Sequence, residues 1–155
     1  MPLGNYGMIK YIIFDVDGTL VDSSYGLFDS FSYACKIVGL KAPKKNAFKK
    51  NIGPPIDKIF NSFYKDKSHL KDNFIKSFRN HYDNKGYLGY KKKFDIKKLQ
   101  RLKNNNIYLG IVTNKPSMPT KNILKDMSLM EMFNMVTCKD TYSSSYNKKD
   151  NLLLV

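Results

Sequence analysis

The sequence predicts an α/β fold in which a parallel sheet is interrupted by an inserted all-helical segment. Three observations carry that prediction. Two short apolar runs, Tyr11 to Phe14 in "YIIFDVDGT" and Ile107 to Val112 in "IYLGIV", have strand length without polar alternation, the pattern of strands covered on both faces. Between them, from about residue 24 to 86, apolar residues recur at helical spacing and no strand pattern intervenes. From Asp95 to Cys138 helix and strand patterns alternate, an order that favours parallel strands joined by helical crossovers.

Each element follows from its own residues. The first run ends at once in Asp15, Asp17 and Gly18, a charged turn. Leu27, Phe28, Phe31, Ala34, Cys35 and Val38 then mark an amphipathic helix, with Asp22 or Ser23 as its N-cap and Gly39 at its end. The prolines of "GPP" suit the start of a second helix carrying Ile56, Ile59, Phe60, Phe63 and Tyr64. Leu70, Phe74, Ile75, Phe78 and Tyr82 mark a third. Ile96, Leu99 and Leu102 belong to a helix stopped by "KNNN", and the strand Ile107 to Val112 follows. A helix is expected from Pro119 through Ile123, Leu124 and Met127, then a weaker strand in "MVTC", Met135 to Cys138. Residues 1–23 and 87–155 are expected to form one α/β unit, discontinuous in sequence, around an all-helical segment at 24–86.

The totals bound the function. A chain of 155 residues accommodates one domain with a modest insertion, and 42% hydrophobic and 14% aromatic content fits a packed core. Lys+Arg 27 against Asp+Glu 13 gives a formal charge of +14, which attracts anions. The lysines are scattered, as on solvated helix faces, and only "KAPKKNAFKK" and "GYKKKF" form clusters. A nucleic-acid partner is therefore not the first expectation. Cys35 and Cys138 have neither a disulfide framework nor a metal-ligand spacing, which suits a reducing cytoplasm. No apolar stretch approaches the roughly 18 residues of a membrane span, so no membrane association is expected. His69 and His81 fall among lysines and read as surface residues.

Chemistry is expected beyond the carboxyl ends of the strands, where open parallel sheets bind ligands. Asp15 and Asp17, two apart, face the same side, and Gly18 lets the chain turn sharply after them. In "IVTNKP", Thr113 and Asn114 offer a hydroxyl and an amide to an anion's oxygens. Carboxylates alone repel a phosphate, so the arrangement calls for a hard cation such as Mg²⁺ between them. By themselves, an acidic pair after a strand also serves as a capping device and "TNKP" as a turn.

The stretch "FDVDGTLVDS" resembles the first motif of the haloacid dehalogenase superfamily, "IVTNKP" resembles its second, and "NIGPPI" resembles the cap loop of the phosphoglycolate phosphatase-like branch. The resemblance implies a Rossmann-like core with an inserted helical cap, and a Mg²⁺-dependent phosphomonoester hydrolase acting through an aspartyl-phosphate. It makes Asp15 the nucleophile and metal ligand, and Asp17 the general acid and base whose backbone carbonyl also binds the metal. Thr113 and Asn114 become phosphate ligands, as does a lysine after the third strand, Lys148 or alternatively Lys149. Ser23, Asn51 and Gly53 are implied to face the substrate, a small phosphorylated metabolite. A sugar phosphomutase shares both aspartates, and a non-catalytic relative would use the basic surface to bind anions. The family's fourth motif, an acidic pair after a further strand, has no counterpart before Val155. On that reading the chain is incomplete at its C-terminus, metal affinity and turnover fall below the family's, and copies associate through an uncovered edge of the first strand.

Overall fold

The computed structural model describes residues 10–141. Within them a parallel three-stranded sheet has the order β1 (Tyr11–Phe14), β4 (Tyr108–Thr113), β5 (Met135–Cys138). The register pairs Tyr11 with Tyr108 and Phe14 with Ile111 on one side of β4, and Gly110 with Met135 and Thr113 with Cys138 on the other. Parallel strands cannot be joined by tight turns, so each crossover carries helices. Helix α6 (Ser117–Asp126) connects β4 to β5. The longer excursion from β1 to β4 contains α1 (Ser24–Ile37), α2 (Lys45–Lys50), α3 (Ile56–Phe63), α4 (Lys71–Asn84) and α5 (Ile96–Asn104).

Where each strand sits decides its burial. Five of the six residues of the central strand β4 are buried, as its unbroken apolar sequence predicts. The same expectation fails for β1. Tyr11 is 56% exposed and the next three residues are only partly covered, because among the described residues β1 is an edge strand with one paired neighbour. The predicted span Ile107 to Val112 is shifted by one residue, and α6 starts at Ser117 rather than Pro119. Pro116 precedes its first turn, and Pro119 lies inside that turn, where the missing N–H costs nothing.

A small antiparallel ribbon pairs β2 (Val21–Asp22) with β3 (Lys91–Lys92), elements too short to show a period in the sequence. It ties the chain leaving the sheet to the chain returning from the helices. At the same crossing Gly26 donates its backbone N–H to the Gly89 carbonyl at 2.8 Å. A Cβ on Gly26 would lie 2.0 Å from the Gly86 carbonyl oxygen, so this approach of α1 to the single turn Gly86–Leu88 requires glycine.

Buried apolar residues form two clusters. One, around β4, contains Val16, Leu20, Leu99, Leu109, Ile111, Ile123 and Leu124. The other, among α1 to α4, contains Phe31, Phe48, Phe60, Phe74, Phe78 and Tyr82. Tyr87 packs against both. His81 is not a surface residue. Its ring stacks on Tyr33 at 4.5 Å and its Nδ1 lies 3.0 Å from the Ser30 hydroxyl, because the inner face of α4 turns it toward α1. His69 is exposed as expected. Among the described residues no helix is long and apolar enough to cross a membrane.

Candidate active site

The loop after β1 is a compact turn built on the Val16 carbonyl, which accepts from the N–H groups of Thr19, Leu20 and Val21 at 3.0 to 3.3 Å. Gly18, at φ +86°, supplies the left-handed residue that this turn needs. Val16 is fully buried, which turns Asp15 and Asp17 on either side of it toward the open end of the sheet. Both acids line a cavity of about 410 Å³ together with Thr113 and Asn114 from the end of β4. The residues singled out at the two strand ends thus share one space.

The carboxylates have different surroundings. Asp15 Oδ1 accepts the Val16 N–H at 2.8 Å, which fixes its side chain against the turn. Asp17 is held by two donors. The Ser23 hydroxyl donates to Oδ1 at 2.5 Å, and Lys115 Nζ reaches Oδ1 at 3.0 Å and Oδ2 at 3.1 Å. Lys115 also donates to the Tyr82 hydroxyl at 2.5 Å. Burial opposes its charge, but Asp17 and Tyr82 outweigh that, so its ammonium is held above the ordinary lysine value. Thr113, buried at the strand end, accepts the Lys115 N–H at 3.2 Å, whereas Asn114 is exposed to the cavity mouth.

The helical side of the cavity is formed by Leu27, Ile52, Gly53, Pro54, Ile56 and Phe78, with Lys49 and Arg79 as cations. Gly53 therefore stands at the cavity. Ser23 does too, although its hydroxyl is engaged with Asp17. Asn51 is not among the lining residues. Its amide turns back to the Ala47 carbonyl at 2.9 Å and closes the end of α2. Lys93 reaches the Gly18 carbonyl at 2.6 Å, and Lys49 approaches Asp22 at 3.7 Å. Lys148 and Lys149 lie outside the described residues.

Sequence reasoning missed Lys115, Tyr82, Arg79, Lys49 and Lys93. Lys115 stood inside the quoted "TNKP", but a lysine in a turn reads as solvated. Tyr82 fell on an apolar stripe, so its hydroxyl drew no notice. Lys49 and Lys93 belonged to the basic clusters and carried no sign of which way they face.

For a divalent ion the donor set is small but of the right chemistry. Among the described residues no group of three or more His, Cys, Asp or Glu side chains converges. Mg²⁺ is commonly held by one or two carboxylates together with substrate oxygens and water, and the cavity provides oxygen donors of that kind at the β1 turn.

Comparison with known proteins agrees with this geometry. A family model described as haloacid dehalogenase-like hydrolase matches residues 12–151. A phosphoglycolate phosphatase of Aquifex aeolicus is 28% identical over 135 residues, covering 86% of this chain and 62% of the relative. The pyrophosphatase PpaX of Oceanobacillus iheyensis is 35% identical over 111 residues, covering 69% of this chain and 49% of the relative. The chain thus spans about half to three fifths of the length of these relatives. Among solved structures, a haloacid dehalogenase-like hydrolase from Streptococcus pneumoniae superposes with a TM-score of 0.81 at 25% identity, over 94% of this chain and 68% of that one. With both motifs in place at the mouth of one cavity, the chain belongs to the haloacid dehalogenase-like hydrolase family and has the fold of that family.

Proposed function

We propose that the chain catalyses hydrolysis of a small phosphate monoester through a phosphorylated Asp15, with Mg²⁺ as cofactor. The observation that carries this reading is the convergence of Asp15, Asp17, Thr113 and Asn114 on one cavity. Asp15 attacks phosphorus with a carboxylate oxygen, and the bond from phosphorus to the ester oxygen breaks. The departing oxygen takes that electron pair and the proton of Asp17, which enters this step as the carboxylic acid. Water then attacks the phosphorylated Asp15, giving its proton to Asp17, and inorganic phosphate leaves as the Asp15 carboxylate is restored. The Thr113 hydroxyl and Asn114 amide hold the phosphoryl oxygens through both displacements. Mg²⁺ would be held by the Asp15 carboxylate and the Asp17 backbone carbonyl, and when bound it neutralises charge between carboxylate and phosphoryl oxygens.

The cavity also favours a class of substrate. Lys49 of α2 and Arg79 of α4 line its helical side and suit a leaving group that is itself anionic. A two-carbon phosphate carrying a carboxylate fits both the cavity volume and that charge, in keeping with the phosphoglycolate phosphatase among the relatives.

The experiment is hydrolysis of p-nitrophenyl phosphate with and without Mg²⁺. Asp15→Asn is expected to lower turnover by at least about 10³-fold while the circular dichroism spectrum stays unchanged, and chelation of Mg²⁺ to do the same. Turnover that survives Asp15→Asn would refute this function.

A further inference from the structure

Neither the packing of the sheet nor the phosphate chemistry of Thr113 and Asn114 accounts for a lysine head buried between the strand ends and α4. Lys115 is 5% exposed. Burying an ammonium is costly unless its donors are met. Here they are met, since Nζ has the two Asp17 oxygens and the Tyr82 hydroxyl as partners, enough to occupy the three N–H donors of an ammonium. The head group is committed to these partners, and its ammonium also lies 4.7 Å from the centre of the Tyr82 ring.

Tyr82 belongs to the other core. Its ring is 1% exposed and stacks on Phe78 at 5.5 Å, with the planes 7° apart, so the hydroxyl is placed by the aromatic cluster rather than by the strand ends. Burial pushes the Tyr82 phenol above its ordinary range against the pull of Lys115, and the hydroxyl stays protonated. A carboxylate at a turn otherwise rotates freely about its side-chain bonds. With Ser23 on one oxygen and Lys115 on both, Asp17 is restricted to one orientation.

We propose that Lys115 and Tyr82 are positioning residues that set the Asp17 carboxyl group at the cavity, one oxygen keeping the Lys115 contact while the other, in the protonated form, turns its O–H to the leaving oxygen, so that the seating of α4 on the strand ends is part of the proton-transfer step. This rests on the phosphatase reading above. A residue that acts through the general acid has a signature that a merely structural residue lacks. An alkyl leaving group needs the proton, whereas p-nitrophenolate departs without it. The value of kcat/KM covers the steps up to departure of that group and therefore reports the difference.

Tyr82→Phe keeps the ring and its packing and removes only the oxygen, which makes it the deciding variant. For the 155-residue chain with Mg²⁺, kcat/KM for 2-phosphoglycolate is expected to fall about tenfold or more, and that for p-nitrophenyl phosphate by less than about threefold. Lys115→Met is expected to widen the split. Equal losses on both esters would overturn the proposal in favour of a structural role, and so would no loss on either. Wild-type turnover confined to the aryl ester would overturn it as well, because no substrate would then call on the acid. Absence of Asp15-dependent turnover of either ester by the wild-type chain would sink the phosphatase reading itself, and the proposal with it.

Discussion

The two cores of this molecule are made of different material. Around β4 the buried residues are chiefly aliphatic, with Leu109, Ile111, Ile123 and Leu124 fully covered. Among α1 to α4 they are chiefly aromatic, and Phe31 alone faces Phe48, Phe63, Tyr64 and Phe74 at ring separations of 4.8 to 6.3 Å. Branched side chains suit the flat, closely spaced surface of a sheet. Short helices such as α2 and α3 present few side chains each, so large rings supply the area that a small core needs. The difference carries over to function. The sheet region contributes groups whose positions follow from backbone geometry, Asp15 and Asp17 on a turn and Thr113 at a strand end. The helical region contributes a wall and the hydroxyl of Tyr82, placed only by side-chain packing.

If the aromatic cluster is a core in its own right, its central ring is the most costly to remove. Phe31→Ala is expected to lower stability by about 3–5 kcal/mol in urea unfolding. A loss below about 1 kcal/mol would mean that the helices are held by the sheet and not by one another. The crossing between the regions is the next most sensitive point. Gly26→Ala places a methyl against backbone, where nothing flexible can yield, and is expected to cost about 2–3 kcal/mol in the same assay. Ile111→Val, at a fully buried position in β4, should cost about 1 kcal/mol, which tests whether the aliphatic core is packed as tightly as the aromatic one.

The smallest expected effect belongs to Asp140, just after β5, whose carboxylate accepts the Ser117 N–H and hydroxyl, each at 2.8 Å, and so closes the start of α6. Burial pushes its carboxyl up, but the Ser117 hydroxyl and N–H outweigh this and hold it below its ordinary value. With the folded value below the unfolded one, the stabilisation is present above about pH 4 and is lost as pH falls through the depressed folded value. Asp140→Ala should cost about 0.5 kcal/mol at pH 7, since the group is exposed, and the difference from wild type should shrink in urea titrations as pH falls below about 4.

How much was legible in the sequence follows the same division. The strands β1, β4 and β5 announced themselves because apolar runs of strand length have few alternatives, and α1, α3, α4 and α5 because their stripes repeat over several turns. The six-residue α2 went unseen inside "KAPKKNAFKK", where one buried Phe48 among lysines makes no period. The ribbon of β2 and β3 went unseen because two residues cannot alternate. At the cavity, Asp15, Asp17, Thr113 and Asn114 were readable since each follows directly on a strand whose end the sequence marks. Asn51 was misplaced by its neighbourhood: the loop reaches the cavity through Ile52, Gly53 and Pro54, while its own amide serves α2.

By itself, then, the sequence determined the α/β order and the side chains offered at the ends of β1 and β4, while its resemblance to family motifs pointed to the family. Those properties depend on residues close together along the chain, through periodicity and turn chemistry. Only the tertiary structure decided that Tyr11 lies at an edge of the sheet formed by the described residues, that Gly26 meets Gly86, and that Lys115 turns inward between Asp17 and Tyr82. Each of these joins groups 33 or more positions apart or depends on which strand lies beside which. The pairing free energy that makes a buried ammonium tolerable exists only once both cores have formed and brought its partners within 3.1 Å.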